Sequence, residues 1–295
     1  MHYSCFERMA RIFSTIRRTL WLALENDVFN TAKAAAYSGM LCFFPAVLVL
    51  TSLLARVPEG SSLMVEMRAT FDQLMPTGSV LLLQDSLTTQ RMRSTQVLVS
   101  AAALAVFAGL GVMLSLMEGF RRAYKDRRDS WGFWEKRARA LMLVPIVLVP
   151  LWLASMLLVF GHEIELWMVA HANHEMKYVV LFFWRLLRWA VSVLTSVAVL
   201  SALYHFGTRR KEHWGWVMPG AWAASLLWFP ATLAFGWYVT RVADYSRFYG
   251  SFAAGIATLV WLYLTSFSAL LGAELNGALV QLRLERRGHG SAAHE

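Results

Sequence analysis

Six runs of apolar residues, each long enough to cross a bilayer as a helix, take up most of the chain: about 33–55, 95–118, 140–161, 178–206, 217–240 and 250–276. A hydrocarbon core of ~30 Å is spanned by ~20 helical residues. Only helices and closed barrels satisfy their backbone polar groups there. Barrel strands would alternate apolar and polar residues over ~10 positions, and these runs do not. The fold class is therefore an all-α membrane protein with six transmembrane helices. A content of 57% hydrophobic and 16% charged residues excludes an ordinary soluble domain. The fourth run is long for one perpendicular crossing, so it tilts or begins above the bilayer.

Loop charges orient the bundle. With both termini in the cytoplasm, 19 Lys and Arg fall on the inner side and seven on the outer, while Arg185 and Arg188 lie within the fourth run. Cytoplasmic loops carry the excess of basic residues, so both termini are placed inside. Residues 1–32 form a basic amphipathic segment lying on the cytoplasmic face. They lack the uninterrupted apolar stretch and small-residue site of a cleaved signal peptide. Residues 33–276 form the transmembrane domain and 277–295 a polar cytoplasmic tail. In the first outer loop, Leu63, Met67, Phe71 and Leu74 recur at helical spacing before Pro76-Thr77-Gly78 breaks the pattern, which predicts short amphipathic helices.

The net charge of +9 sits largely in such loops. The inner loop 120–139 mixes eight basic residues with Trp131, Phe133 and Trp134. It reads as an interfacial turn anchored by rings and by anionic lipid headgroups. Membrane lipid is the expected partner, and nucleic acid is not expected. Cys5 and Cys42 offer neither a disulfide framework nor a metal motif.

Three segments, in order, carry a resemblance. The stretch AKAAAYSGMLCFFPAVLVLTSLLA, with Ala36-Tyr37 and Phe44-Pro45, resembles the first span of the YihY/BrkB family, formerly labelled ribonuclease BN. HWGWVMPGAWAASLLWFPATLAFGWYV, entered through Val217-Met218-Pro219-Gly220-Ala221, resembles its fifth. YGSFAAGIATLVWLYLTSFSALLGAELNGAL, with Trp261-Leu262-Tyr263-Leu264 and Leu271 to Asn276, resembles its sixth. A His-containing loop between the third and fourth spans and the Trp-rich fifth span depart from the pattern. The resemblance implies a multi-pass protein of the bacterial inner membrane linked to envelope integrity. The old nuclease label transfers no role to any residue here.

Candidate residues are those that a bilayer makes costly. Glu274 lies ~36 Å along the last helix from Gly250 at 1.5 Å per residue, which predicts the cytoplasmic headgroup level. Glu274 and Asn276, beside Gly272, are candidates for polar contacts to a neighbouring helix or for an ion relay. Arg185 and Arg188 share one face of the fourth helix. They either snorkel to the outer interface or hold an anionic substrate or lipid phosphate, for which the planar guanidinium suits. Glu118 is placed to pair with Arg121 or Arg122. Pro45 and Pro230 remove backbone hydrogen bonds inside spans one and five and are kink or hinge candidates. Ser251 with Gly255, and Ser268 with Gly272, are four apart and are close-packing candidates.

His162, Glu163, His171 and His174 cluster in sequence without the H-E-x-x-H spacing of a zinc site, so no metal and no cofactor is expected. With no phosphate-cradling loop and no G-x-S-x-G elbow, the chain is read as not an enzyme. Two functions are expected: a transporter or exporter of a lipid-like or anionic envelope substance, or a non-transporting scaffold. A tRNA-processing nuclease is the remote third.

Overall fold

A computed structural model describes residues 3–54, 95–125, 131–171, 177–209, 213–241 and 252–292. Within these residues the chain is helical and has no strand. Its helices are α1 Tyr3–Glu25, α2 Val28–Leu54, α3 Thr95–Ala123, α4 Phe133–His171, α5 Lys177–Phe206, α6 Trp214–Arg241 and α7 Ala253–Ala292. Five stretches are long and apolar enough to cross a membrane: Val28–Val49, Leu98–Ala123, Leu181–Phe206, Trp214–Val239 and Ala253–Glu285. The expected third span, 140–161, falls inside the 39-residue α4. The outer loop with its expected amphipathic helices lies outside the described residues, as do 126–130 of the inner loop. Where a polar tail was expected from residue 277, α7 continues as helix to Ala292, with Ala278 and Val280 buried.

Two compact units divide the chain. The first comprises Met1–Met40, Leu110–Leu151 and Ser192–Glu295, the second Leu41–Gly109 and Trp152–Val191. The core of the first is built on Phe120, Met117, Leu143, Tyr204, Val217 and Leu270, among which Phe120 and Tyr204 are wholly buried. The Phe120 and Tyr204 rings meet edge to face, with centroids 5.2 Å apart.

Helix α7 packs on α6 along its length and on α1, and the reason is legible along its face. Ala269, Gly272, Ala273 and Gly277 recur at three- and four-residue spacing, a seam of small residues. Lipid tails are as apolar as leucine, so helices in a bilayer associate through close backbone packing and interhelical hydrogen bonds. A Cβ on Gly272 would strike the Gly220 carbonyl and come within 2.7 Å of Ala224 Cβ. A Cβ on Gly220 would strike the Gly272 carbonyl and the Asn276 amide. Further along the seam, Gly277 lies against the Ala123 carbonyl at the end of α3. Helix α2 contributes small residues in the same way, with Ala32, Ala35 and Ala36 buried.

In the second unit α2 and α3 meet at Cys42, whose thiol donates to the Ala105 carbonyl at 3.3 Å. Phe107, Phe182 and Phe183 are exposed there, which is ordinary for a surface solvated by lipid.

Gly272→Ala and Gly220→Ala overpack this crossing and should each cost about 1–3 kcal/mol. Thermal unfolding in detergent reads this as a lowered midpoint. Gly236→Ala, where a Cβ would meet nothing within 4 Å, should not lower the midpoint, since alanine is the better helix former.

Candidate functional site

The turn between α1 and α2 is made by Asn26 and Asp27. Asp27 adopts φ 57°, a left-handed conformation that Asp tolerates better than most residues. Its carboxylate accepts from the Asn30 amide at 2.7 Å, and its carbonyl accepts from the Thr31 N–H and hydroxyl at 3.1 and 3.0 Å. This turn directs the Asn26 amide at the last helix. Asn26 Nδ2 lies 3.0 Å from both carboxylate oxygens of Glu274, which is wholly buried. The Asn26 carbonyl accepts from Arg122 Nη1 at 3.5 Å.

Arg122 carries the connection onward to Glu118, one helical turn back on α3. Glu118 accepts from Arg122 Nε at 3.3 Å, from Arg121 at 2.6 and 3.0 Å, and from Lys136 Nζ of α4 at 3.4 Å. The expected pairing of Glu118 with Arg121 or Arg122 is met by both, with Lys136 added. Beside this cluster opens a groove of 390 Å³ lined by Asp27, Asn30, Thr31, Ser115, Glu118 and Arg122. The chain Glu274, Asn26, Arg122, Glu118, Lys136 thus runs from a buried carboxylate to the edge of this groove.

Asn276 is two residues from Glu274 and, two apart on a helix, the two side chains do not share a face. Its Oδ1 accepts from the Gly220 N–H at 2.7 Å, and its Nδ2 donates to the Val217 carbonyl at 2.8 Å, all buried. Pro219 lies between these partners and cannot donate a backbone hydrogen bond. Asn276 therefore bridges α6 where proline interrupts its ladder. At the start of α6, His213 caps the helix: its carbonyl accepts from Trp216 N–H at 2.7 Å and its Nδ1 from Gly215 N–H at 3.3 Å. Tyr204 adds a third tie, its hydroxyl donating to the Ala269 carbonyl at 2.7 Å.

On α1, which contains none of the five apolar stretches, Arg18 makes a two-pronged ion pair with Glu285 on α7, at 2.7 and 3.2 Å. That carboxylate raises the guanidinium pKa above its ordinary value. Being largely solvated, the pair adds under ~1 kcal/mol.

The remaining sequence candidates are placed as follows. Arg185 and Arg188 lie on α5 in the second unit, Arg185 exposed and Arg188 half-buried. Helices α2 and α6 run uninterrupted through Pro45 and Pro230. A Cβ on Gly255 would sit 3.3 Å from Met40 Cε. The Ser268 hydroxyl is spent on its own helix, donating to the Leu264 carbonyl at 2.8 Å. Ser251 and His174 lie outside the described residues, as do the side chains of His162, Glu163 and His171. Among the described residues no three His, Cys, Asp or Glu side chains gather closely enough to hold a metal. In the inner loop, Arg137 lies over the Phe133 ring at 3.5 Å and Arg139 over Trp131 at 4.7 Å. Sequence reasoning missed Asn26, Tyr204 and Lys136. Asn26 reads only as a helix breaker, and its partner is 248 residues away.

Several apolar helices of membrane-spanning length, joined by a buried polar network, define a multi-pass helical membrane protein. The chain belongs to the family described as virulence factor BrkB, which matches residues 22–295. It is similar to a ribonuclease-like protein, YfkH, of Bacillus subtilis, with 29% identity over 83% of this chain and 87% of the relative. It is also similar to UPF0761 membrane proteins of Chromohalobacter salexigens, 26% identical over 92% of this chain, and Mannheimia succiniciproducens, 24% identical over 90%. The matches span 64% and 88% of those relatives. No solved structure matches the chain.

Asn276→Ala leaves the Gly220 N–H and Val217 carbonyl buried without this partner and should cost about 1–3 kcal/mol. Glu274→Gln keeps an acceptor for Asn26 and should cost less. Denaturation midpoints of both variants in detergent check the order.

Proposed function

We propose that this protein is a six-span protein of the bacterial inner membrane, both termini in the cytoplasm, that moves an anionic or lipid-like envelope substance, with Glu274 as its coupling group. The supporting observation is the buried carboxylate of Glu274, joined through Asn26 and Arg122 to the groove beside Glu118. Ionisable groups inside a membrane domain are costly to keep and mark ion or substrate paths. A proton or cation that neutralises Glu274 weakens its hold on Asn26. The turn that Asn26 anchors then relaxes its carbonyl's grip on Arg122, and the guanidinium is freed for an anionic group in the groove. Arg185 and Arg188, on α5 of the second unit, offer two further guanidiniums for an anionic group, since a planar fork matches phosphate oxygens. The reading contains no enzymatic step.

The alternative is a non-transporting scaffold acting through the basic inner loop. It is favoured by the two buried hydrogen bonds with which Asn276 ties α7 to α6, which a purely structural pin would also show.

Reconstitution separates the two. In vesicles carrying fluorescent phosphatidylglycerol, the protein should accelerate transfer between leaflets with a dependence on pH. Glu274→Gln should flatten that dependence while leaving unfolding little changed. Transfer by Glu274→Gln with unaltered pH dependence overturns the coupling role, and no transfer by the wild-type protein favours the scaffold. RNA incubated with purified protein and divalent metal should stay intact, and cleavage would displace both readings.

A further inference from the structure

Helix α1 stands off from α6 and α7 along part of its length, and the space behind it is shaped for an amphiphile. A slot of 140 Å³ lies between Ile16, Thr19 and Leu20 of α1 and the small residues Ala223, Ala224 and Gly272. The lining is apolar in effect, because its two hydroxyls are already used. Thr19 donates to the Thr15 carbonyl at 2.9 Å and Ser268 to that of Leu264 at 2.8 Å. Leu20 also lines a wider groove of 780 Å³ that includes Arg17, Arg18, Trp21, Leu24 and Leu282.

The charge at that groove is unbalanced. Arg18 is committed to Glu285. Arg17 is exposed and takes part in no hydrogen bond or ion pair with a described residue. Trp21 and Leu24 beside it are 69% and 61% exposed. An aromatic ring and cations at one level, above an apolar slot, match the order of groups along a phospholipid.

We propose that α1 clasps one anionic phospholipid, its phosphate on Arg17 and one acyl chain in the slot behind Leu20. A soluble phosphate would use Arg17 alone and leave the slot without an occupant. A zwitterionic lipid would carry its own cation to the place where Arg17 already stands. Binding here does not require that anything be transported, so lipid retention in detergent and transfer in vesicles fail separately.

Full-length protein in detergent, titrated with dioleoyl phosphatidylglycerol and followed by native mass spectrometry and thermal unfolding, tests the site. One retained lipid and a rise in unfolding midpoint are expected, as any ligand of the folded state produces. Arg17→Gln, at an exposed position, should weaken retention about tenfold by losing a charge-assisted contact. Ala223→Leu, which fills the slot, should weaken it as well and keeps a separate test if either variant folds poorly. Arg209→Gln, at an exposed position outside both this site and the inner loop 120–139, removes the same charge and should change nothing. The proposal is overturned if phosphatidylcholine is retained equally, if Arg209→Gln loses lipid as Arg17→Gln does, or if glycerol phosphate displaces the lipid at equal concentration.

Discussion

The close crossing of α6 and α7 at Gly220 and Gly272 is the contact on which the described polar network depends. No hydrophobic force draws helices together inside lipid, so their backbones must touch for dispersion and hydrogen bonding to hold them. Two glycines facing each other allow that approach, and the approach brings Asn276 within reach of the backbone opened by Pro219. Because α7 is one rigid element, fixing Asn276 on α6 also fixes Glu274 against the α1–α2 turn and Ala269 against Tyr204.

The two carboxylates of this unit differ in what surrounds them. Glu118 is half-buried and met by three cations from α3 and α4. Its pairs lie where charge is affordable, and they lock the end of α3 to the start of α4. Glu274 is wholly buried and, among the described residues, its hydrogen-bond partner is one neutral amide, with Lys125 and Glu25 acting on it through charge alone. A buried charge without a partner costs far more than a buried dipole. The contrast gives Glu118 a structural place and leaves Glu274 as the group most sensitive to gaining or losing charge. Since Asn26 touches both sides, through its amide and its carbonyl, that sensitivity has a physical route to the groove.

Much of the site was legible one residue at a time. GAELN could be read as polar groups on an otherwise apolar helix, and Gly272 as a close-packing position, because such residues are expensive in lipid unless used. What could not be read was the direction in which each points. Glu274 was expected to reach a neighbouring helix or the basic loop, and its partner is Asn26, in a turn 248 residues earlier in the chain. The Pro-Gly pair at 219 and 220 reads as a helix entry, yet its weight comes from Asn276, whose amide accepts from the Gly220 N–H and donates to the Val217 carbonyl on either side of the proline. Lys136, one cation among eight in a basic loop, was indistinguishable by composition from its neighbours.

The sequence alone determined that this is an all-helical membrane protein, where its apolar spans run, and which few residues a bilayer makes costly. Unbroken apolar length and the placement of charge are properties of the chain itself, and lipid acts on them directly. Only the tertiary structure decided which faces meet, because a helix solvated by lipid is apolar on every side and carries no stripe to mark its buried face. The small-residue seam of α7 and the pairing of Asn26 with Glu274 became visible only when the helices were brought together.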